Sequence, residues 1–504
     1  LTARIKLTLG LLVGLLAVTK AVLGAEKPVY ALILGYNKSS DAQLNDLRYA
    51  DDDAVKNAAL MQENGARVWL HTELDPDSGR LYPDVKPRVP TRDAFVQSLA
   101  QVKRLMSEDR RAGRAPLLYV FLSGHGDVRQ NEGFLYLKDS RLGRNDLLEL
   151  LSDTPAAAQH LIIDACKSYF MVFRRGPGGK RQTLSGGLEW KHESMLDRTG
   201  LFLSTSSDAL SHEWETYQAG IFSHQLRSAL RGAADLDGDR RVSYKEAAAF
   251  IWNADRGIPN AKYRNQFFVY QPREAHLAQA GLWEMKGIPA LRIGPEWQGL
   301  HYIEDQKGER LVDFHAGRQQ ILTLMLPERR PLFVRQGRGD AEIRLTDRQF
   351  PVLGPDAGWS VRRSDARGAE HEAFSQLFSK AFDQAALIDF EGDLRHQLED
   401  RDTFEEKSDI RTAVGILAGL GVMTSLGSEW QAREVRRSIS SRSSMEDAVH
   451  ANRKIEQLRT LSSWGAGVAL LAAGTYGLWP LGKEDQLLIL PNILEPQLTL
   501  QSRF

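Results

Sequence analysis

Ala115-Pro-Leu-Leu-Tyr-Val-Phe-Leu-Ser-Gly-His125-Gly126 and His160-Leu-Ile-Ile-Asp164-Ala-Cys166-Lys-Ser168 decide how this chain reads. Each is an unbroken apolar run of strand length that ends in polar chemistry. Such runs suit central strands buried on both faces, as in a parallel sheet covered by helices. In such sheets ligands sit beyond the carboxyl ends of the strands. Two adjacent parallel strands would therefore present His125 and Cys166 at one rim. A thiol beside an imidazole is the minimum kit for a nucleophile and its general base. Cys166 is the only cysteine, which excludes an intramolecular disulfide and a cysteine-rich zinc site.

Outward from these runs, strands and helices alternate. Residues 29–36 and 66–70 read as strands, with a helix between them at about 47–64. Residues 91–111 are amphipathic, with Thr91 placed as N-cap after Pro90. Residues 201–205 and 266–270 read as two further strands, and helices are predicted near 220–230 and 244–253. The pattern predicts α/β architecture: a mostly parallel six-stranded sheet flanked by helices. From 288 to 365 the pattern shifts to short strands and turns, a small β-rich domain without a cluster of chemistry. Residues 369–410 read as a charged helical linker.

The motifs resemble the caspase-like cysteine peptidases, nearest to the bacterial caspase and metacaspase-like branch. Ser123-Gly-His-Gly126 and Asp164-Ala-Cys166 match the family's His and Cys motifs. Ala50-Asp-Asp-Asp-Ala54 and Gly200-Leu-Phe-Leu-Ser-Thr-Ser-Ser207 match two further segments, and the likeness spans about residues 28–275. Lys167-Ser168-Tyr169 depart from the family, which carries other residues after the cysteine. The resemblance implies a caspase-like fold and a cysteine endopeptidase acting on protein or peptide substrates through a dyad, with Cys166 as nucleophile and His125 as proton carrier. It also implies an oxyanion hole from the N–H groups of Gly126 and Cys166. Asp53 and Asp164 match positions that read a basic P1 side chain, which points to cleavage after Arg or Lys. Arg48, near the first loop, argues the other way, and Asp52 or Asp53 could simply cap the following helix. The alternative function is a catalytically inactive caspase-like scaffold at the membrane.

Composition bounds the rest. The 504 residues carry 65 basic and 65 acidic side chains, a formal net charge of zero. No broad electrostatic footprint for nucleic acid is expected. Residues 1–25 read as a signal peptide or uncleaved anchor: Arg4 and Lys6, an apolar stretch to Leu23, then small residues. Residues 412–428 and 462–482 are apolar and free of charge, with Arg/Lys concentrated between them, so 411–482 reads either as a transmembrane hairpin or as two buried helices. The expected location is accordingly exported, periplasmic or in the cell envelope, anchored by that hairpin. Residues 483–504 form a tail without a reading. Residues 174–198 are Gly-rich and basic, a long loop that offers Arg and Lys side chains for self-processing.

One acidic stretch stands apart. Asp235-Leu-Asp237-Gly-Asp239-Arg-Arg-Val-Ser243-Tyr-Lys-Glu246 places calcium-ligand types at positions one, three, five, nine and twelve of an EF-hand-like loop. Arg240 stands where such a loop needs Gly. Ser243 and Glu246 equally spell a capping box for the next helix. No cofactor is required by the dyad, and calcium remains an expectation of this loop alone.

Overall fold

The structure, a computed structural model, describes residues 27–394 with interruptions, the longest at 173–196, 346–359 and 362–372, and beyond them only residues 454 and 457. The chain divides into two compact units, and every element named here belongs to the first.

The unit opens with β1 (Val29–Tyr36), α1 (Ala50–Glu63), β2 (Arg67–Thr72), α2 (Pro76–Leu81), α3 (Arg92–Arg111) and β3 (Leu117–Gly124). A small antiparallel sheet follows, β4 (Gly126–Arg129), β5 (Glu132–Tyr136) and β6 (Arg141–Gly143), then α4 (Arg144–Ser152) and β7 (Ala158–Ala165). Next come β8 (Thr199–Thr205), the ribbon β9 (Glu213–Trp214) and β10 (Ala219–Gly220), and α5 (Ile221–Ser228). β11 (Arg241–Val242), α6 (Tyr244–Asp255), β12 (Gln266–Tyr270) and β13 (Trp283–Glu284) complete this part.

Six strands form one sheet in the order β12-β8-β7-β3-β1-β2. β2, β1, β3, β7 and β8 run parallel, and β12 closes the edge antiparallel to β8. The protein is therefore α/β with a mostly parallel sheet. β1 is buried along its whole length and β3 and β7 nearly so, which is why their sequences do not alternate. On one face Leu32, Val120, Leu122 and Ile163 join Phe95, Leu99, Val102 and Met106 of α3 in a single core. Those α3 residues recur at helical spacing, giving it one apolar face. Thr91 caps α3 by accepting from the N–H of Ala94 at 3.4 Å.

The β-rich part contains β14 (Ala290–Ile293), β15 (Gly299–Asp305), β16 (Arg310–Ala316), β17 (Leu322–Met325), β18 (Leu332–Gln336), β19 (Ala341–Leu345) and β20 (Ser360–Val361). Five of them form an antiparallel sheet in the order β16-β15-β18-β19-β20, and β14 pairs with β17. β16 packs on α5, so the β-rich part leans on the helix that leads out of the main sheet.

The membrane-anchored location needs correction. Among the described residues no helix is long and apolar enough to cross a membrane. The 20-residue α3 has the length but carries Arg92, Asp93, Lys103, Arg104, Glu108, Asp109, Arg110 and Arg111, and charge at bilayer depth is costly. The segments of the expected hairpin, within 411–482, lie outside the described residues, as do the signal segment 1–25 and most of the 174–198 loop.

Candidate active site

Register brings the two chemical motifs together. In the β3–β7 pairing Gly124 stands opposite Ala165. His125 and Cys166 are thus the first residues beyond two neighbouring parallel strands, level with each other. Both line one cleft, together with Ser123, Asp164, Ser204, Asp53 and Gly220.

Two glycines make this rim possible. Gly124 has φ +149°, and a Cβ there would meet the Tyr36 carbonyl oxygen at 2.8 Å. A Cβ on Gly126 would lie 2.4 Å from the Cys166 carbonyl oxygen. The loop after His125 and the loop after Cys166 therefore touch, backbone to backbone. Tyr136 N–H donates to the His125 carbonyl at 3.0 Å, which turns the N–H of the next residue, Gly126, away from β5.

His125 is buried, and its Nε2 has no hydrogen-bond partner among the described residues. Burial lowers its pKa from 6.5, while the backbone carbonyl of Asn45, accepting from the ring, works in the opposite direction. Nε2, the ring atom without a partner among the described residues, is the one placed to act as a general base toward the cleft. Asn45 carries no sequence signal, because a main-chain carbonyl is supplied by every residue type.

The acids at the cleft differ in how they are held. Asp53 Oδ2 accepts from Gly220 N–H at 2.8 Å, and Asp53 Oδ1 lies 2.9 Å from Arg227 Nη2, a charge contact without hydrogen-bond geometry. Lys56 adds a second positive field, its ammonium donating to the Tyr217 carbonyl at 3.0 Å. Asp164 Oδ2 accepts from Ser223 Oγ at 2.6 Å, and Ser204 supplies another hydroxyl. Among the described residues Asp164 has no ion-pair partner. Burial, reinforced by Asp53, raises its pKa to about 6. A Cβ on Gly220 would lie 3.0 Å from both Asp53 Oδ2 and Asp164 Oδ2, so the two carboxylates converge on one glycine.

The other sequence candidates take different places. Asp52 binds Ser78 Oγ at 3.1 Å, away from the cleft, and burial raises its pKa to about 7. Helix α1 has Tyr49 at its N-cap and no side-chain cap, so neither Asp52 nor Asp53 caps it. Instead the Glu213 carboxylate accepts from the N–H groups of Arg48 and Tyr49 at 2.9–3.2 Å, an anion at a helix start. The Arg48 backbone is thus committed to Glu213, and its exposed side chain is not part of the cleft lining.

Asp235, Asp237 and Asp239 bring oxygens within 4.8 Å of one another. Each is also turned onto its own loop: Asp235 accepts from Gly238 and Arg240, Asp237 from Asp239, and Asp239 from Arg241. Ser243 and Glu246 form the capping box of α6, and Glu246 Oε1 also accepts from Leu236 N–H at 3.1 Å. Arg240 adopts φ +65°, supplying the left-handed turn usually left to glycine. Burial raises the Asp235 pKa to about 7, with its acidic neighbours adding to the rise.

No family model and no curated protein matches the chain. Among solved structures it is similar to caspase-1 from Spodoptera frugiperda, with 15% identity and a TM-score of 0.27, covering 45% of this chain and 75% of that one. A pro-form, pro-sf-caspase-1, gives 14% identity and a TM-score of 0.28, over 45% and 77%. At such TM-scores the likeness adds no weight, and it does not speak for the bacterial and metacaspase-like branch. What the chain itself defines is an α/β protein with a thiol and an imidazole at one sheet rim, above two converging carboxylates.

Proposed function

We propose that the chain is a caspase-like cysteine endopeptidase that cleaves after Arg or Lys. One observation carries this reading: the β3–β7 register sets His125 level with Cys166 over a cleft floored by Asp164 and Asp53. Cys166 Sγ attacks the scissile carbonyl carbon, and His125 Nε2 carries the thiol proton to the departing amine. The N–H groups of Gly126 and Cys166 stabilise the oxyanion without reorganising. Water then attacks the acyl-enzyme, its proton passing to His125, and Cys166 leaves as the thiol.

Asp164 is the stronger reader of a basic P1. Asp53 is directly opposed by Arg227 and Lys56, whereas among the described residues Asp164 is bonded by the hydroxyls of Ser223 and Ser204 and feels Arg227 without an ion pair, which leaves more of its charge for the substrate. The 174–198 loop, rich in Arg and Lys, is proposed as a self-processing substrate. Profiling cleavage of a peptide library by wild type and Cys166→Ala tests the reading. Cleavage after Arg or Lys that vanishes in Cys166→Ala is expected. A wild type that binds but never cleaves such peptides would leave the inactive scaffold instead.

A further inference from the structure

Helix α5 reaches both acids. Gly220, at its N-cap, donates to Asp53; Ser223 donates to Asp164; Arg227 faces Asp53 and also contacts Asn57 at 3.3 Å. The spacing of 223 and 227 is one helical turn, so one face of α5 addresses the floor of the cleft. A rotation or slide of this helix would shift the partners of both carboxylates together.

The next residue along, His224, points elsewhere. Its Nε2 lies 2.7 Å from Asp313 Oδ2 on β16, and both side chains are fully buried. Burial lowers the His224 pKa to about 4, so the ring is neutral and Nε2–H is the donor. Arg310, also on β16, closes on the same carboxylate, with Nε donating to Asp313 Oδ2 at 2.7 Å and Nη2 to Oδ1. The guanidinium lies over the Tyr302 ring, 3.6 Å from its centroid. Asp313 N–H donates to Ser228 Oγ at 3.1 Å, at the far end of α5. The Tyr217 ring stacks on His224 at 3.9 Å. None of these groups touches the cleft, and a buried ionic network of this kind serves geometry better than raw stability.

We propose that the β-rich part is a component of substrate selection: the network of Arg310 and Asp313 on β16 with His224 on α5 holds α5 in register so that Ser223 and Arg227 keep Asp164 and Asp53 aimed at a basic P1 side chain. His224 and Asp313 are positioning residues, acting through the helix rather than on the substrate. This rests on the peptidase reading above. It assigns a task to a region whose sequence shows no chemistry, and it predicts that damage there alters recognition while sparing the nucleophile.

The test compares the full chain with His224→Phe, which removes the donor to Asp313, and His224→Gln, which keeps an N–H. The measurements are kcat and KM for matched peptides with Arg or norleucine at P1, and the rate of Cys166 alkylation by iodoacetamide. His224→Phe should raise KM for the Arg peptide by about tenfold, the loss expected of one hydrogen bond to a charged group. The norleucine peptide and the alkylation rate should change by less than about twofold, and His224→Gln should recover most of the loss. If His224→Phe melts below the assay temperature, Ser228→Ala serves, with an expected rise in KM of about threefold. Unchanged KM in the folded variant, or equal losses on both peptides with slowed alkylation, overturns the inference while leaving the peptidase reading in place. A wild type that cleaves no basic-P1 peptide overturns the peptidase reading itself, and this inference falls with it.

Discussion

Two acidic clusters in this molecule look alike in sequence and differ in what their carboxylates face. Asp53 and Asp164 line the cleft while Asp51 and Asp52 stand outside it, and all four draw partners from distant parts of the chain: Asn37, Ser78, Gly220, Ser223 and Arg227. Asp235, Asp237 and Asp239 find their partners within five residues of themselves. Local partners satisfy a carboxylate and define a turn. Long-range partners instead fix a carboxylate relative to the rest of the fold, and that is what a recognition pocket needs. Acidity in a sequence is therefore not a site until its neighbours are known.

The sharpest way to break this contrast is to remove the chemistry proposed for the cleft that Asp53 and Asp164 line. Cys166→Ala or His125→Ala should lower kcat by about ten-thousandfold or more, with circular dichroism and the melting temperature near those of wild type. Retained turnover in Cys166→Ala would end the peptidase reading. Next in size, Asp164→Asn should reduce kcat/KM for P1-Arg peptides by about a hundredfold, a loss on the scale of an unpaired buried polar group, and much less for norleucine. Because burial pushes the Asp164 carboxyl up to about 6, wild-type cleavage after Arg should rise with pH through that value as the carboxyl loses its proton. The variant should lose that limb of the profile, and comparable cleavage after Asp would refute the acid-floor assignment.

Asp53→Asn should weaken recognition less and folding more. It strands Arg227, whose side chain is 4% exposed, and breaking a buried pair costs about 3–5 kcal/mol. Chemical denaturation measures this directly, and a variant as stable as wild type would show that the contact carries little charge interaction. The smallest effect belongs to the second cluster. Ser243→Ala should cost about 1 kcal/mol through the lost cap and leave P1 preference untouched. Calcium should not shift the wild-type melting temperature if the loop is satisfied by its own backbone. A rise that disappears in Asp237→Ala would erase the contrast and make the loop a metal site.

Sequence reasoning found the parts of the fold that periodicity and composition encode. The apolar runs ending at Gly124 and Ala165, the strands 29–36 and 266–270, the amphipathic α3 and the antiparallel pattern past 288 all have their physical cause within a few neighbouring residues. His125 and Cys166 were legible because strand ends are where such a sheet exposes side chains. Asp53 and Asp164 were legible through their resemblance to known motifs. The β4–β5–β6 sheet, α2 and α4 were not seen, because their segments are short and their stability comes from packing rather than pattern.

By itself, then, the amino-acid sequence determined an α/β chain with one thiol and one imidazole at successive strand ends, since burial on both faces of a central strand leaves an unmistakable apolar run. Only tertiary structure decided which acid is paired with a cation and which is bonded by hydroxyls. Arg227 lies 174 residues from Asp53 and Ser223 lies 59 from Asp164, and no local pattern foretells which cation will neutralise which carboxylate. The same holds for Asn45, whose main chain opposes the fall of the His125 pKa, and for Asp313, which meets His224 of α5 from β16. Charge interactions inside a fold depend on distance and burial, and those quantities exist only once the chain has closed on itself.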